Sequence, residues 1–476
     1  MFKNISGVVA LAGISALSVL LLNCGSSSSR PSGALYVLTQ GSNGFGNNVS
    51  SFAIDLDTGN LVLINSNAST CPTAASLSDP APCGIPLNIV LDPAAATAFV
   101  LNQGTPCTLN GNQCMSGSSP ITPTIYSFSV TSDGSLSAPG AAITLGCGGF
   151  SGPCNDTATA MVRDAAGQFV FEISLGSSPP PADCPHPPSS TTDVCPSISV
   201  FAMTPSSTPG GTTLTLAGGS PMYLSKVPSA LSPVTFTPAG SSSAQELLFV
   251  TNNLDICTQN CIPPSPHNDN TVSVYSVSSS GALTEQPNSP YSIPAVNPVS
   301  VLAVNTSNPA VQNGGGLFVY VGNQGSSTGA VTPFQLCTIQ NAVCNTQQAA
   351  NNLLVPVTGC TVSCAESAGQ KPVQMVVDPT NNFLYVLSEL SGQLFGFVIN
   401  TTAGKLTPQR NAYEPTGAQP VSMALHPSVN NTGQYLYVSN SGSSSISGFN
   451  LDTTAGTMSG PFSVVAPAAP SGMAVH

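Results

Sequence analysis

A unit of roughly 45 to 70 residues recurs along the whole chain, and internal repetition at such a period restricts a β-rich sequence to arrays, solenoids or propellers. Each unit opens on a short apolar strand, often after proline: PLNIVLDP from Pro86, KPVQMVVDP from Lys371, QPVSMALHP from Gln419. A tight turn leads to a second strand with an aromatic near its centre and often Asn at its end. These are LYVLTQ (Leu35), AFVLNQG (Ala98), FVFEIS (Phe169), LFVTNN (Leu248), FVYVGNQG (Phe318), LYVLSE (Leu384) and LYVSNSG (Leu436). A variable loop then precedes an alternating third strand: VSSFAID (Val49), IYSFSV (Ile125), ISVFAM (Ile198), VSVYSV (Val272), AVTPFQL (Ala330), LFGFVIN (Leu394) and ISGFNLD (Ile446). Turns such as Asp57-Thr58-Gly59, Asp133-Gly134, Ser280-Gly281, Ala403-Gly404 and Ala455-Gly456 lead to a less regular fourth strand. Period-2 alternation with Gly-containing turns reads as antiparallel hairpins. Four such strands per unit make a propeller blade.

Seven second strands and seven third strands predict an all-β, seven-bladed β-propeller of four-stranded antiparallel blades. The first blade begins at its second strand, Leu35, without a first strand of its own. The segment Pro470-Ser471-Gly472-Met473-Ala474-Val475-His476 mirrors the first strand Pro420–His426. Its pairing with the opening strand is expected to close the ring and remove an exposed sheet edge. The expected organisation is a leader over 1–23, a Gly/Ser-rich tether over 24–33 and one propeller over 34–476.

Composition agrees. Only 5% of residues are charged while 41% are hydrophobic, so the chain can bury a large core but has few ions for the wet face of amphipathic helices. The net charge of −12, without a basic stripe, repels nucleic-acid phosphates and excludes a nucleic-acid partner.

Residues 1–24 read MFKNISGVVALAGISALSVLLLNC. Lys3 precedes an apolar run from about Val8 to Leu22, shorter than a membrane span and typical of a signal peptide. The ending Leu21-Leu22-Asn23-Cys24-Gly25 resembles the bacterial lipoprotein lipobox, which implies lipidation of Cys24; Asn23 departs from the small residue usual there. Gly25, in place of the Asp of inner-membrane retention, points to the outer membrane. The rival is an ordinary signal peptide with an incidental Cys.

With Cys24 set aside, the remaining 14 of the 15 cysteines fall in close couples: Cys71 with Cys83, Cys107 with Cys114, Cys147 with Cys154, Cys184 with Cys195, Cys257 with Cys261, Cys337 with Cys344 and Cys360 with Cys364. Connectivity does not follow from sequence. Nearest-neighbour disulfides are the simplest solution and need an oxidising compartment. Metal binding is the rival, but no couple has CxxC spacing and His186, His267, His426 and His476 are scattered. Neither metal nor cofactor is expected, and the molecule is expected to be monomeric.

The units resemble the YVTN-type repeats of the lactonase-like seven-bladed propellers. LYVLTQ, LFVTNN, LYVSNSG, the Asp-Pro turns at Asp92 and Asp378 and the Asp-Thr-Gly turn at Asp57 carry the resemblance, which covers nearly all of the chain after the leader. It implies the fold directly. It implies function less directly, because the family includes sugar-lactone hydrolases, muconate-lactonising enzymes and surface proteins of no known chemistry.

In a propeller the first strands line the channel. Blade-to-blade links and second-to-third loops share one face, here called the top, where most of the cysteine couples are expected. The second-strand ends Gln40, Asn102, Asn252, Asn323 and Asn440 predict a ring of amides able to bind a polar ligand; a turn-capping role is the alternative. Glu172, Glu389 and Lys371 are the candidates for acid–base work. Basic residues beyond Lys3 are Arg30, Arg163, Lys226, Lys371, Lys405 and Arg410, few for holding a phosphorylated sugar. His426 and Arg163-Asp164 fall at first-to-second-strand turns, where Asp92 and Asp378 sit in other blades, and read as turn residues. Nucleophile-elbow and phosphate-loop motifs are absent, since Gly210-Gly211 and Gly314-Gly315-Gly316 lie between strands. The leading expectation is therefore an outer-membrane-anchored propeller that binds a protein or glycan partner. A lactonase-like hydrolase working at the channel mouth is the alternative, and a surface-layer spacer the third.

Overall fold

The second strands are the part of the repeat with apolar residues at consecutive positions, as needed by a strand covered on both faces. In this computed structural model each of them lies second from the axis of a ring of seven antiparallel sheets. The structure describes residues 33–476 apart from 41–46, 71–83, 105–108, 111–112, 115–121, 146–156, 178–194, 207–210, 238–241, 256–268, 295, 307–315, 326–327, 339–343, 345, 352, 358, 361–363, 428–433 and 467–468.

Blade 1 combines Ala469–Val475 with Ala34–Gln40, Asn48–Ile54 and Leu61–Ser69. Blade 2 is Ile85–Leu91, Thr97–Gln103, Thr124–Ser129 and Ile143–Thr144. Blade 3 is Ala158–Arg163, Phe169–Ser177, Cys195–Pro205 and Thr212–Leu216. Blade 4 is Lys226–Phe236, Gln245–Asp255, Thr271–Val277 and Leu283–Glu285. Blade 5 is Pro298–Asn305, Leu317–Asn323, Ala330–Leu336 and Leu354–Pro356. Blade 6 is Pro372–Val377, Phe383–Ser388, Gln393–Ile399 and Leu406–Pro415, and blade 7 is Pro420–His426, Gln434–Asn440, Ser445–Leu451 and Met458–Val465. A short helix, Thr346–Ala350, interrupts the third-to-fourth connection of blade 5.

Each first strand packs against the first strands of both neighbouring blades, so the ring is continuous. Its closure is the predicted one. Leu35 pairs with Val475 and Val37 with Met473, while Ala34 and His476 exchange backbone bonds of 3.1 and 2.9 Å.

The core consists of seven apolar layers, one between each pair of adjacent blades. Tyr36 and Leu38 of blade 1 face Val100 and Phe128 of blade 2. Leu35 and Val37 of the same strand face Tyr435 and Tyr437 of blade 7. The second strand thus serves two layers at once, and each buried Leu, Val or Phe in it contributes about 1.5–3 kcal/mol.

A repeated contact sets the spacing of the blades. In four blades the turn glycine between third and fourth strands packs closely against the aromatic near the start of the previous blade's second strand. Gly59 lies on Tyr435, Gly281 on Phe169, Gly404 on Phe318 and Gly456 on Phe383, all four glycines at φ between 70° and 82°. Three of these carbonyls also accept a tyrosine hydroxyl from that previous blade: Tyr437 to Gly59 at 2.8 Å, Tyr320 to Gly404 at 3.2 Å and Tyr385 to Gly456 at 2.7 Å. The turns are written locally. Asp55 Oδ1 accepts the N–H of Asp57 and Thr58, and Asp452 Oδ1 accepts those of Thr454 and Ala455, as Asx turns do.

Disulfides join Cys337 to Cys344 and Cys360 to Cys364, two of the expected couples. Cys195 is also disulfide-bonded. Cys71, Cys83, Cys107, Cys147, Cys154, Cys184, Cys257 and Cys261 lie outside the described residues, as do Cys24 and the whole leader.

Candidate functional site

In three consecutive blades the residue ahead of the first-strand proline takes a left-handed backbone: Asn297 at φ 55°, Lys371 at 57° and Gln419 at 50°. Such a conformation costs a residue with a Cβ about 1–2 kcal/mol, so something must hold it. The carbonyl of each accepts an N–H from the residue that follows its own blade's second strand. Gln324 donates to Asn297 at 3.0 Å, Glu389 to Lys371 at 3.0 Å and Ser441 to Gln419 at 2.9 Å. This bond pins a link residue beside a loop residue on the top face, at the channel mouth.

The paired side chains differ from blade to blade. In blade 5, Asn297 Nδ2 donates to Gln324 Oε1 at 2.9 Å. In blade 6, Lys371 Nζ stands 2.6 Å from Glu389 Oε2, with the two side chains 35% and 21% exposed. In blade 7, Ser441 Oγ donates to the Gln419 carbonyl at 3.0 Å. The blade 6 slot is therefore the one that carries an ion pair, half-buried and still reachable by water.

Glu172 lies elsewhere. It sits in the middle of its strand in blade 3, opposite Met161 and Ser199, and is wholly buried. The register explains the difference from the sequence alignment. The position facing the first strand's proline or its equivalent is Thr39, Asn102, Ser174, Asn252, Asn323, Ser388 and Asn440. Glu172 is two residues short of that position, whereas Gln40 and Glu389 are one beyond it. Lys371 and Glu389 are thus brought together, and Glu172 is not with them.

The amides at that position are turned inward. Asn102 Nδ2 donates to Thr70 O at 3.0 Å, Asn252 Nδ2 to Thr271 and Ser273, and Asn323 Nδ2 to Val321 O and Thr332. Asn440 Nδ2 donates to Ser447 Oγ at 2.9 Å while its Oδ1 accepts Gly417 N–H. All four are less than 5% exposed, and their donors bind the second strand to the third strand or to the link. Gln40 reaches across to blade 2, where its Nε2 lies 3.4 Å from Pro86 O.

The titratable residues near the first-to-second turns are on the opposite face. Asp92 and Asp378 accept two backbone N–H groups each on Oδ1 and close those turns. His426 fills the same slot in blade 7, 1% exposed, and burial followed by the nearby His476 holds its pKa below the ordinary value. Burial, with Asp164 beside it, pushes the Glu246 carboxyl up to about 7. Among the described residues no group of three or more His, Cys, Asp or Glu is placed to hold a metal ion.

Sequence reasoning missed Asn297, Gln324 and Gln419. Their signal is present in hindsight: the residue before proline at 297, 371 and 419 is a repeated slot that disfavours the helical backbone.

Residues 361–461 match the family described as Lactonase, 7-bladed beta-propeller. That segment covers nearly all of blades 6 and 7 and contains Lys371, Glu389 and Gln419. No curated protein sequence matches the chain. Among solved structures, the periplasmic gluconolactonase of Pseudomonas aeruginosa aligns with a TM-score of 0.55 at 14% identity, over 93% of this chain and 98% of that one. A putative 6-phosphogluconolactonase of Bacteroides fragilis aligns with a TM-score of 0.54 at 13% identity, over 93% and 98%. At such identities the likeness is one of fold.

Proposed function

We propose that this seven-bladed propeller, whose residues 361–461 match the lactonase family, hydrolyses a sugar-derived or related lactone at the channel mouth of blade 6. The observation that carries this reading is the solvent-reachable Lys371–Glu389 pair, which lies inside the segment matching the lactonase family. The structural neighbours known as gluconolactonases or putative gluconolactonases favour hydrolysis over the non-catalytic partner-binding role.

The chemistry asks little of the protein. A water oxygen attacks the lactone carbonyl carbon while Glu389 takes its proton as general base. The Lys371 ammonium stabilises the oxyanion of the tetrahedral intermediate. Collapse breaks the ring C–O bond, and the proton passes from Glu389 to the departing alkoxide oxygen, leaving a hydroxy acid. Asn297, Gln324 and Gln419 flank the pair with amides suited to hydroxyl groups on the substrate. A phosphorylated substrate fits poorly, because Lys371 is the only cation in the three link slots.

The test is hydrolysis of glucono-δ-lactone and a panel of γ- and δ-lactones by the leaderless, oxidised protein. Glu389→Gln is expected to lower kcat by on the order of 10²-fold or more, with Lys371→Arg retaining more activity than Lys371→Met. Absence of turnover on every lactone, or full activity in Glu389→Gln, refutes the reading.

Export and anchoring through Cys24 belong to the same proposal, supported by disulfides that need an oxidising compartment. Labelled palmitate should enter the full-length protein and not its Cys24→Ala variant; equal labelling of both refutes the anchor.

A further inference from the structure

Two Ser-Pro turns occupy equivalent places in neighbouring blades, Ser220-Pro221 in blade 3 and Ser289-Pro290 in blade 4. Ser220 Oγ accepts the Val200 N–H at 2.7 Å, and Ser289 Oγ accepts that of Val274 at 2.9 Å. Each turn is thereby tied to the third strand of its own blade. After each comes a short strand on that same third strand, Met222–Tyr223 in blade 3 and Tyr291–Ser292 in blade 4. Between the two lies a cavity of about 240 Å³, with Met222, Tyr223 and Leu224 on the blade 3 side and Asn252, Tyr275 and Glu285 on the blade 4 side. It belongs to a different pair of blades from Lys371 and Glu389.

The polar groups of this cavity are held before any ligand arrives. Glu285 Oε1 accepts Ser289 Oγ–H at 2.8 Å, so the carboxylate is braced by the same hydroxyl that anchors the turn. Lys226 Nζ, also lining the cavity, stands 2.5 Å from Asp269 Oδ2. Asn252 is fixed through its Nδ2 bonds to Thr271 and Ser273. Met222, Leu224 and Pro290 add apolar surface. Charge sorts the ligands: Asp269 neutralises Lys226, and Glu285 is left in excess, so the site disfavours carboxylates and phosphates. Volume sorts them too. Pockets for drug-sized ligands run from about 300 to 1,000 Å³, so this one takes a single ring.

We propose that the cavity between blades 3 and 4 is a second ligand site, which binds one neutral, hydroxylated sugar ring through the Glu285 carboxylate and the Lys226 ammonium. A carboxylate accepts hydroxyl hydrogens and an ammonium donates to hydroxyl oxygens, the complementary pair that a polyol needs. The braced turns reduce the ordering cost of binding. The site is separate from the lactone-hydrolysing mouth and does not depend on it.

Saturation-transfer NMR and calorimetry on the leaderless, oxidised protein test this with methyl β-glucoside, methyl β-galactoside and N-acetylglucosamine, with gluconate as the anionic control. At least one neutral sugar should bind saturably, and gluconate more weakly. Glu285→Ala should weaken binding about tenfold, the loss of one charge-assisted contact. Lys226→Met should weaken it as well, and Glu389→Gln should leave it unchanged. Retained lactone hydrolysis in Glu285→Ala would separate the two sites and show that the variant is folded. The proposal is overturned if no neutral sugar binds, if Glu285→Ala binds as the wild type does, or if gluconate binds as tightly as the sugars.

Discussion

Gly456→Ala probes how the blades are spaced. Gly456 sits at φ 70°, and a Cβ there would stand 2.2 Å from Cδ1 and 2.4 Å from Cγ of Phe383. Phe383 is 6% exposed and holds its place in the layer between blades 6 and 7, so the ring has nowhere to go. The left-handed backbone costs alanine about 1–2 kcal/mol. Overpacking against the ring adds about 1–3 kcal/mol. Any backward shift of the turn also lengthens the 2.7 Å bond from Tyr385 Oη to the Gly456 carbonyl, worth about 0.5–1.5 kcal/mol. These terms overlap, and the expected loss is about 3–5 kcal/mol. Urea unfolding of the oxidised protein, followed by circular dichroism, measures it. Gly218→Ala is the control, since a Cβ there meets nothing within 4 Å and should cost under about 0.5 kcal/mol. Equal midpoints for the two variants would refute the claim that glycine-on-aromatic contact spaces the blades.

Tyr437→Phe keeps the ring and removes only the hydroxyl that donates to Gly59 O at 2.8 Å. Because Tyr437 is fully buried, the orphaned carbonyl should cost about 1–3 kcal/mol, and a change below about 0.5 kcal/mol would show the bond to be incidental. Glu246 predicts a pH effect of definite sign. Its folded value of about 7 stands above the ordinary 4.5, so its contribution is full below pH 4.5 and is lost as pH rises through about 7. Glu246→Gln should therefore stabilise the protein at alkaline pH, by up to about 1–2 kcal/mol once solvent screening of this partly exposed group is allowed for. Identical pH profiles of Tm for wild type and variant would rule this out.

The blade count, the strand order within a blade and the ring closure were legible because each is written as a local pattern repeated seven times. The second strands show why: LYVL, AFVL and LFV lack alternation, and the structure buries both of their faces. The placement of side chains at the mouth was less legible. Aligning FVFEIS with its counterparts puts Glu172 near the strand end, but the hydrogen-bonded register sets it opposite Met161, two residues earlier. The blade 3 second strand runs on to Ser177, as the blade 4 strand runs on to Asp255, while the others stop at or one residue past the position facing the first strand's proline, and no sequence pattern announces that extension. Lys371 and Glu389 were each visible as candidates, yet their pairing depends on a backbone bond between a link and a loop. The cavity between blades 3 and 4 was hidden for the same reason. The Ser-Pro turns that brace it are visible in the sequence, but the facing of one blade's link toward the next blade's sheet is tertiary.

The seam in blade 1 has a consequence for how the chain acquires its shape. Ala34 hydrogen-bonds to His476, so blade 1 is assembled from strands that the six other blades separate along the chain. Until residues 469–475 are available, any partly assembled array keeps two unsatisfied sheet edges and cannot lock. The ring commits to a single shape only when this long-range pairing forms. The same proximity makes the break in blade 1 arbitrary: joining His476 to Gly33 through a short linker and opening the chain at another blade-to-blade link would give the same ring with its seam moved.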